Sequence, residues 1–103
     1  MVLGEREVIY ADIKLTKHAR RRMVERGISL EDIIEALTRT CEDVHDKQND
    51  VYIALGCNGI AVVYSYRPPV MEIITVLREK EYNALIGRLG KRRYKVLRSF
   101  TEG

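Results

Sequence analysis

Along the chain the spacing of apolar side chains changes period three times, and each change marks a new kind of element. Residues 7 to 14 alternate loosely around Val8, Tyr10 and Ile13, which predicts a short opening strand. Thr16 then supplies a hydroxyl for the orphan amides of a helix that runs to about Arg26, where Gly27 offers the permissive backbone that ends it. Ser29, with Asp32 three positions on, restarts the chain as a second helix carrying Leu30, Ile33, Ile34 and Leu37 on one stripe. From Cys41 the period is two. Residues 51 to 56 place Val51, Ile53 and Leu55 on one side, residues 60 to 66 place Ile60, Val62, Tyr64 and Tyr66 together, and residues 70 to 77 alternate Met71, Ile73, Thr75 and Leu77. Asn58-Gly59 is the dipeptide of a two-residue hairpin turn in which both central residues need positive φ, and Pro68-Pro69 breaks the next connection. Helical spacing returns over Glu79 to Leu89, through Tyr82, Leu85, Ile86 and Leu89, with acids in the first turn and bases later. Beyond Gly90 the chain either extends as a basic helical tail or frays.

This order predicts an α+β fold: two N-terminal helices, an antiparallel sheet and a C-terminal helix, with the helices on one face of the sheet. Three strands form a meander, residues 41 to 47 add a fourth, and the opening strand would make five. With no repeats and no Gly/Ser/Pro linker, residues 1–103 read as a single domain ending in a basic tail over residues 90–103. A chain of this length buries roughly two thirds of its unfolded surface, enough for one core.

Composition adds a class. The longest apolar runs, residues 59 to 64 and 73 to 77, fall far short of a membrane span, and Glu5, Arg6 and Glu7 precede any apolar stretch, unlike a secretory signal. The expectation is a cytoplasmic protein without membrane contact. Few Gln and Asn beside many Glu, Lys and Arg point to a thermophile source. Net charge is only +3, but it is segregated. Lys17, Arg20, Arg21, Arg22 and Arg26 face Glu25 alone in their segment, Arg88, Lys91, Arg92, Arg93, Lys95 and Arg98 meet no acid in theirs, and Glu42, Asp43, Asp46 and Asp50 cluster between. A separated field of this kind orients a phosphate backbone, RNA in the first place and DNA in the second, although solvated helix faces carry such runs too.

Candidate chemistry sits on the first helix. His18, Arg22 and Arg26 recur every four residues on one drifting stripe, and by helical phase Arg26 falls between Leu15 and Ala19, the side that meets the sheet. A guanidinium near a core needs acceptors. Either Arg22 or Arg26 pairs with an internal acid such as Glu72 or Asp32 and locks helix to sheet, or both bind a phosphate and stabilise the charge developing on it, with His18 as general acid or base.

The run Thr16-Lys17-His18-Ala19, Arg22-Met23, Glu25-Arg26-Gly27-Ile28-Ser29 and Asp32-Ile33 resembles the signature of a widespread prokaryotic family known only as a domain of unknown function, which reads Lys-His-Ala, then Arg-Met, then Glu-Arg-Gly-Ile. Val62 to Tyr64 and Ile74 to Val76 fit its layout. The order of helices and strands is in turn similar to RelE-type and BrnT-type toxins, small ribonucleases that cleave RNA without metal. That resemblance implies a toxin-like, RNA-binding endoribonuclease in which a ribose hydroxyl attacks the adjacent phosphate, with His18, Arg22 and Arg26 at the catalytic positions and an antitoxin as protein partner. Lys17, Arg21, Tyr64, Arg78, Lys91, Arg92 and Arg93 are the accompanying candidates for nucleic-acid contact; Tyr64, with Tyr66, would either stack bases or pack across strands.

Cys41, Asp43 and His45 alternate on one strand face but match no closed metal site, so neither a metal nor another cofactor is expected. If residues 41 to 47 pair with 51 to 57, Cys41 and Cys57 come within disulfide range, which a reducing cytoplasm disfavours and a hyperthermophile tolerates. The chain has no Gly-rich phosphate loop, metalloprotease helix motif or Ser nucleophile elbow, which argues against nucleotide hydrolysis and acyl transfer.

Overall fold

A computed structural model describes residues 12–99. In chain order these form β1 (Asp12–Leu15), α1 (Lys17–Arg26), α2 (Leu30–Thr38), β2 (Thr40–Asp46), β3 (Val51–Gly56), β4 (Ile60–Arg67), β5 (Val70–Arg78), α3 (Glu79–Arg93) and β6 (Tyr94–Ser99). Residues 7 to 11 of the expected opening strand lie outside the described residues.

The two N-terminal helices begin and end where their local chemistry dictates. Thr16 Oγ1 accepts from the Ala19 amide at 2.9 Å, and Gly27, at φ 65°, closes α1 by returning its own amide to the Met23 and Val24 carbonyls. Ser29 and Asp32 form a reciprocal capping box, each side chain accepting from the other residue's amide. The Asp32 carboxyl is held below its ordinary range by those bonds from Ser29.

The strands form one six-stranded sheet in the order β1-β5-β4-β3-β2-β6. Two features depart from the expected meander. β1 pairs parallel with β5, so the sheet is mixed, and β6, formed within the stretch read as a basic tail, pairs antiparallel with β2. The helices also divide between the faces. Ala19, Ile28, Ile33 and Ala36, from α1, α2 and the turn between them, pack with Ile60, Val62, Met71, Ile73 and Val76 on one face. On the other, Tyr82 of α3 packs with Val44, Ile53, Ala61, Val63 and Tyr94. A sheet with apolar side chains on both faces must be covered on both, which is why β4 is buried without a break from Ile60 to Val63.

Strict alternation along β5 also fails. Opposite β4, the register shifts between Val63 and Tyr64, so that Val63 meets Thr75 while Tyr64 meets Ile73. The extra residue, Ile74, makes a bulge; Ile73 and Val76 share one core while Ile74 and Leu77 turn to the other. The β3–β4 connection is a three-residue loop, with the Gly59 amide bonded to the Gly56 carbonyl at 3.0 Å and positive φ only at Gly59, 82°. Asn58 instead uses its side chain, accepting from the Ile60 amide and donating to the Asp32 carbonyl. At the same end of the sheet Cys41 and Cys57 form a disulfide with Cα atoms 5.1 Å apart.

Candidate nucleic-acid interface

α1 is placed by both of its ends. Thr16 donates through its amide to the Ile73 carbonyl and through its hydroxyl to the Ile74 carbonyl, fixing the start of the helix over the middle of β5. At the other end Arg78 Nη2 donates to the Arg26 carbonyl at 2.6 Å, where a cation meets the negative end of the helix dipole. The buried side of α1 is Ala19, and its basic residues divide into two groups.

The first group is the stripe of His18, Arg22 and Arg26, which the structure brings together. Arg22 Nε donates to His18 Nε2 at 3.4 Å, and Arg22 Nη1 bonds Glu25 Oε1 at 2.6 Å. Arg26 grips Glu81 with two parallel bonds, Nε to Oε1 at 2.7 Å and Nη2 to Oε2, while its Nη1 lies 3.7 Å from Glu25. Glu81 Oε1 also accepts from the Arg78 amide at 3.0 Å, so one carboxylate ties α1, the end of β5 and the start of α3. The bond from Arg26 pushes the Glu81 carboxyl down to about 2 and raises the Arg26 guanidinium, burial opposing the shift in each. Arg26 is thus engaged by an internal acid, and the acid is Glu81 instead of Glu72 or Asp32. Asp32 is occupied by its capping box, and Glu72 stands exposed on β5 opposite Lys14 of β1 and Ser65 of β4. The arrangement leaves His18 exposed, with an acceptor nitrogen beside a guanidinium.

The second group is Lys17, Arg20 and Arg21. All three are exposed, and none of their side chains forms an ion pair or hydrogen bond with another described residue. They carry unmatched positive charge on an ordered helix. Arg20 also borders a shallow apolar depression with Leu15, Met23, Val24 and Ile28.

Tyr64 lies apart from both groups, half-buried on the sheet. Its ring stacks on Tyr52 of β3 with centroids 5.7 Å apart, and Tyr52 stacks in turn on His45 of β2 at 4.9 Å. His45 Nε2 is 2.8 Å from Asp50 Oδ1, while Cys41, another of the three residues of the strand face considered for metal, is in the disulfide. The side chains of Lys91, Arg92 and Arg93 lie outside the described residues. Sequence reasoning passed over Glu25, Glu81 and Tyr52. The first two are acids in the first or last turn of a helix, where they read as dipole partners, and Tyr52 sits on the polar side of an apparently one-faced strand.

Residues 15–78 match the family described as Domain of unknown function (DUF4258). The match spans more than half of the chain, from the end of β1 to the end of β5, and the chain belongs to that family. No curated protein and no solved structure matches it. No described helix is long and apolar enough to cross a membrane.

Proposed function

We propose that this member of the family is a toxin-like domain that binds RNA through the exposed basic face of α1, with Lys17, Arg20 and Arg21 meeting phosphates. The observation that supports the reading is their lack of any acidic partner among the described residues. A cation already matched by a carboxylate gains little from a phosphate, whereas an unmatched one releases condensed counterions when it binds. Arg26 and Arg78 serve as the mount: bonded to Glu81 and to the end of α1, they hold the helix against the sheet. DNA offers the same phosphates, and an acidic antitoxin-like protein would compete for the same cations.

The test is fluorescence anisotropy with labelled RNA at low salt. Replacing Lys17, Arg20 and Arg21 together by Ala should weaken binding at least about tenfold while circular dichroism stays unchanged. Unaltered affinity in the triple variant would overturn the assignment of this face.

A second reading, metal-independent RNA cleavage, is favoured by one contact, the 3.4 Å approach of Arg22 to His18. As Arg22 turns from His18 Nε2 and from its exposed partner Glu25 to the phosphoryl oxygens, whose charge it would stabilise, the freed Nε2 would take the proton of a ribose 2′-hydroxyl attacking the adjacent phosphorus, and the 5′-oxygen would leave with a proton from water. Arg26, held by Glu81, takes no part. RNA incubated with protein and chelator should then be cut, and His18→Ala should stop the cutting without loss of binding; scission that survives His18→Ala would reject the mechanism.

A further inference from the structure

A single row of paired residues crosses the whole sheet. Leu15 of β1 pairs with Ile73 of β5, Ile73 with Tyr64 of β4, Tyr64 with Tyr52 of β3, Tyr52 with His45 of β2, and His45 with Lys95 of β6. The row is aliphatic at Leu15 and Ile73 and aromatic from Tyr64 to His45, with Tyr64 partly buried against the core beneath α1 and α2. α1 starts at its β1 end, one residue beyond Leu15 at the Thr16 cap, so Lys17 is exposed there. α2 packs at the far end of β3, where the Ala36 Cα lies 2.4 Å from the position a Cβ on Gly56 would take, and Tyr52, toward the other end, is partly exposed. Three rings with polar edges therefore stand partly exposed between two exposed lysines, Lys17 and Lys95.

We infer that this row is a base-stacking surface for single-stranded RNA, a statement that rests on the RNA-binding reading above and deepens it. Two physical points select the occupant. A ring ladder accepts any base as a further stacked member, because every base has a π-face, and bases in a duplex keep those faces hidden. Leu15 and Lys95, the two ends of the row, are about 24 Å apart by strand spacing, and Lys17 follows Leu15 by two residues, so a strand laid along the row meets a cation near each end and rings between. The acids on this part of the sheet fit that path. Asp50 orients the His45 ring through its 2.8 Å contact, and Asp43, two residues along β2, sits beside the row and not in it. Tyr66, opposite Met71, adds a fourth ring one step along β4.

The experiment compares one RNA of about ten nucleotides as a single strand and as a duplex, a length chosen to exceed the row. The single strand should bind about tenfold or more tightly than the duplex, and Tyr52→Leu should lower single-strand affinity about tenfold with the salt dependence unchanged. His45→Ala, at a less packed position, gives the same direction should Tyr52→Leu fail to fold. With no tryptophan in the chain, tyrosine emission of the unmodified protein is a third readout, and single-stranded RNA should quench it. Equal binding of strand and duplex, with no quenching and full affinity in both variants, would overturn the stacking surface while leaving phosphate binding by α1 intact. Absence of binding to either RNA at low salt would overturn both.

Discussion

Replacing Glu81 by Gln isolates the clamp that seats α1. Gln keeps an oxygen for the Arg78 amide, bonded at 3.0 Å, but loses the charge and cannot accept both bonds from Arg26. The depression of the Glu81 carboxyl from 4.5 to about 2 would correspond to roughly 3 kcal/mol if fully expressed in stability. Glu81 is 39% exposed and its partner 20%, so solvent screening reduces the expected loss to about 1–2 kcal/mol at neutral pH. The sign follows from the direction of the shift. A carboxyl whose folded pKa is depressed contributes in full above the unfolded value and loses that contribution as pH falls toward the folded one. Urea unfolding of both proteins at pH values from about 7 to 2 should therefore show a gap at neutrality that closes between about 4.5 and 2. The accompanying drop in Tm at neutral pH is about 4–8 °C for each kcal/mol in a domain of this size. A gap below about 0.3 kcal/mol at neutrality, or one of equal size at both ends of the range, would refute the clamp.

Three further outcomes follow from other contacts. Reducing the Cys41–Cys57 disulfide, which spans 16 positions, should cost about 3 kcal/mol and lower the urea midpoint accordingly; an unchanged midpoint after verified reduction would count against it. Gly56→Ala would set a methyl 2.4 Å from the Ala36 Cα and 2.5 Å from Asn58 Oδ1, so α2 must shift, and thermal unfolding should register a loss of about 2–3 kcal/mol. Tyr82 is 1% exposed and donates its hydroxyl to Glu42, and burial above all pushes its phenol far above the ordinary tyrosine range. Tyr82→Phe should cost about 1–2 kcal/mol, and ultraviolet titration of the native protein should show this tyrosine staying protonated until the fold is lost.

What the chain discloses by itself is chiefly its local chemistry. Thr16, Gly27 and the Ser29–Asp32 box act within four residues of themselves, and each stands in the structure where the residue types require. Register was harder to read. An Asn58-Gly59 loop of two residues would set Cys57 opposite Ile60 and Tyr52 opposite Ser65, whereas the actual three-residue loop sets Tyr52 opposite Tyr64. A slip of one residue turns every side chain to the other face, so the ring row was hidden by a single position in a turn. β6 was hidden for a different reason: Lys95 and Arg98 interrupt its alternation, and its partner β2 lies some fifty residues back. The same distance concealed Glu81, since nothing local to Arg26 indicates that β5 will end beside it. His18, Arg22 and Arg26 were legible as a stripe because helical spacing alone sets it, but the carboxylates that engage the two arginines depend on local pairing and on the tertiary fold.

The salt dependence of RNA affinity tests the central claim most directly. For single-stranded RNA the logarithm of the binding constant should fall linearly with the logarithm of salt concentration, with a slope near −0.7 for each phosphate neutralised. Removing Lys17, Arg20 and Arg21 together should make that slope shallower by about 2. Identical slopes for the native and triple-variant proteins would contradict the proposal that α1 presents the phosphate-binding cations.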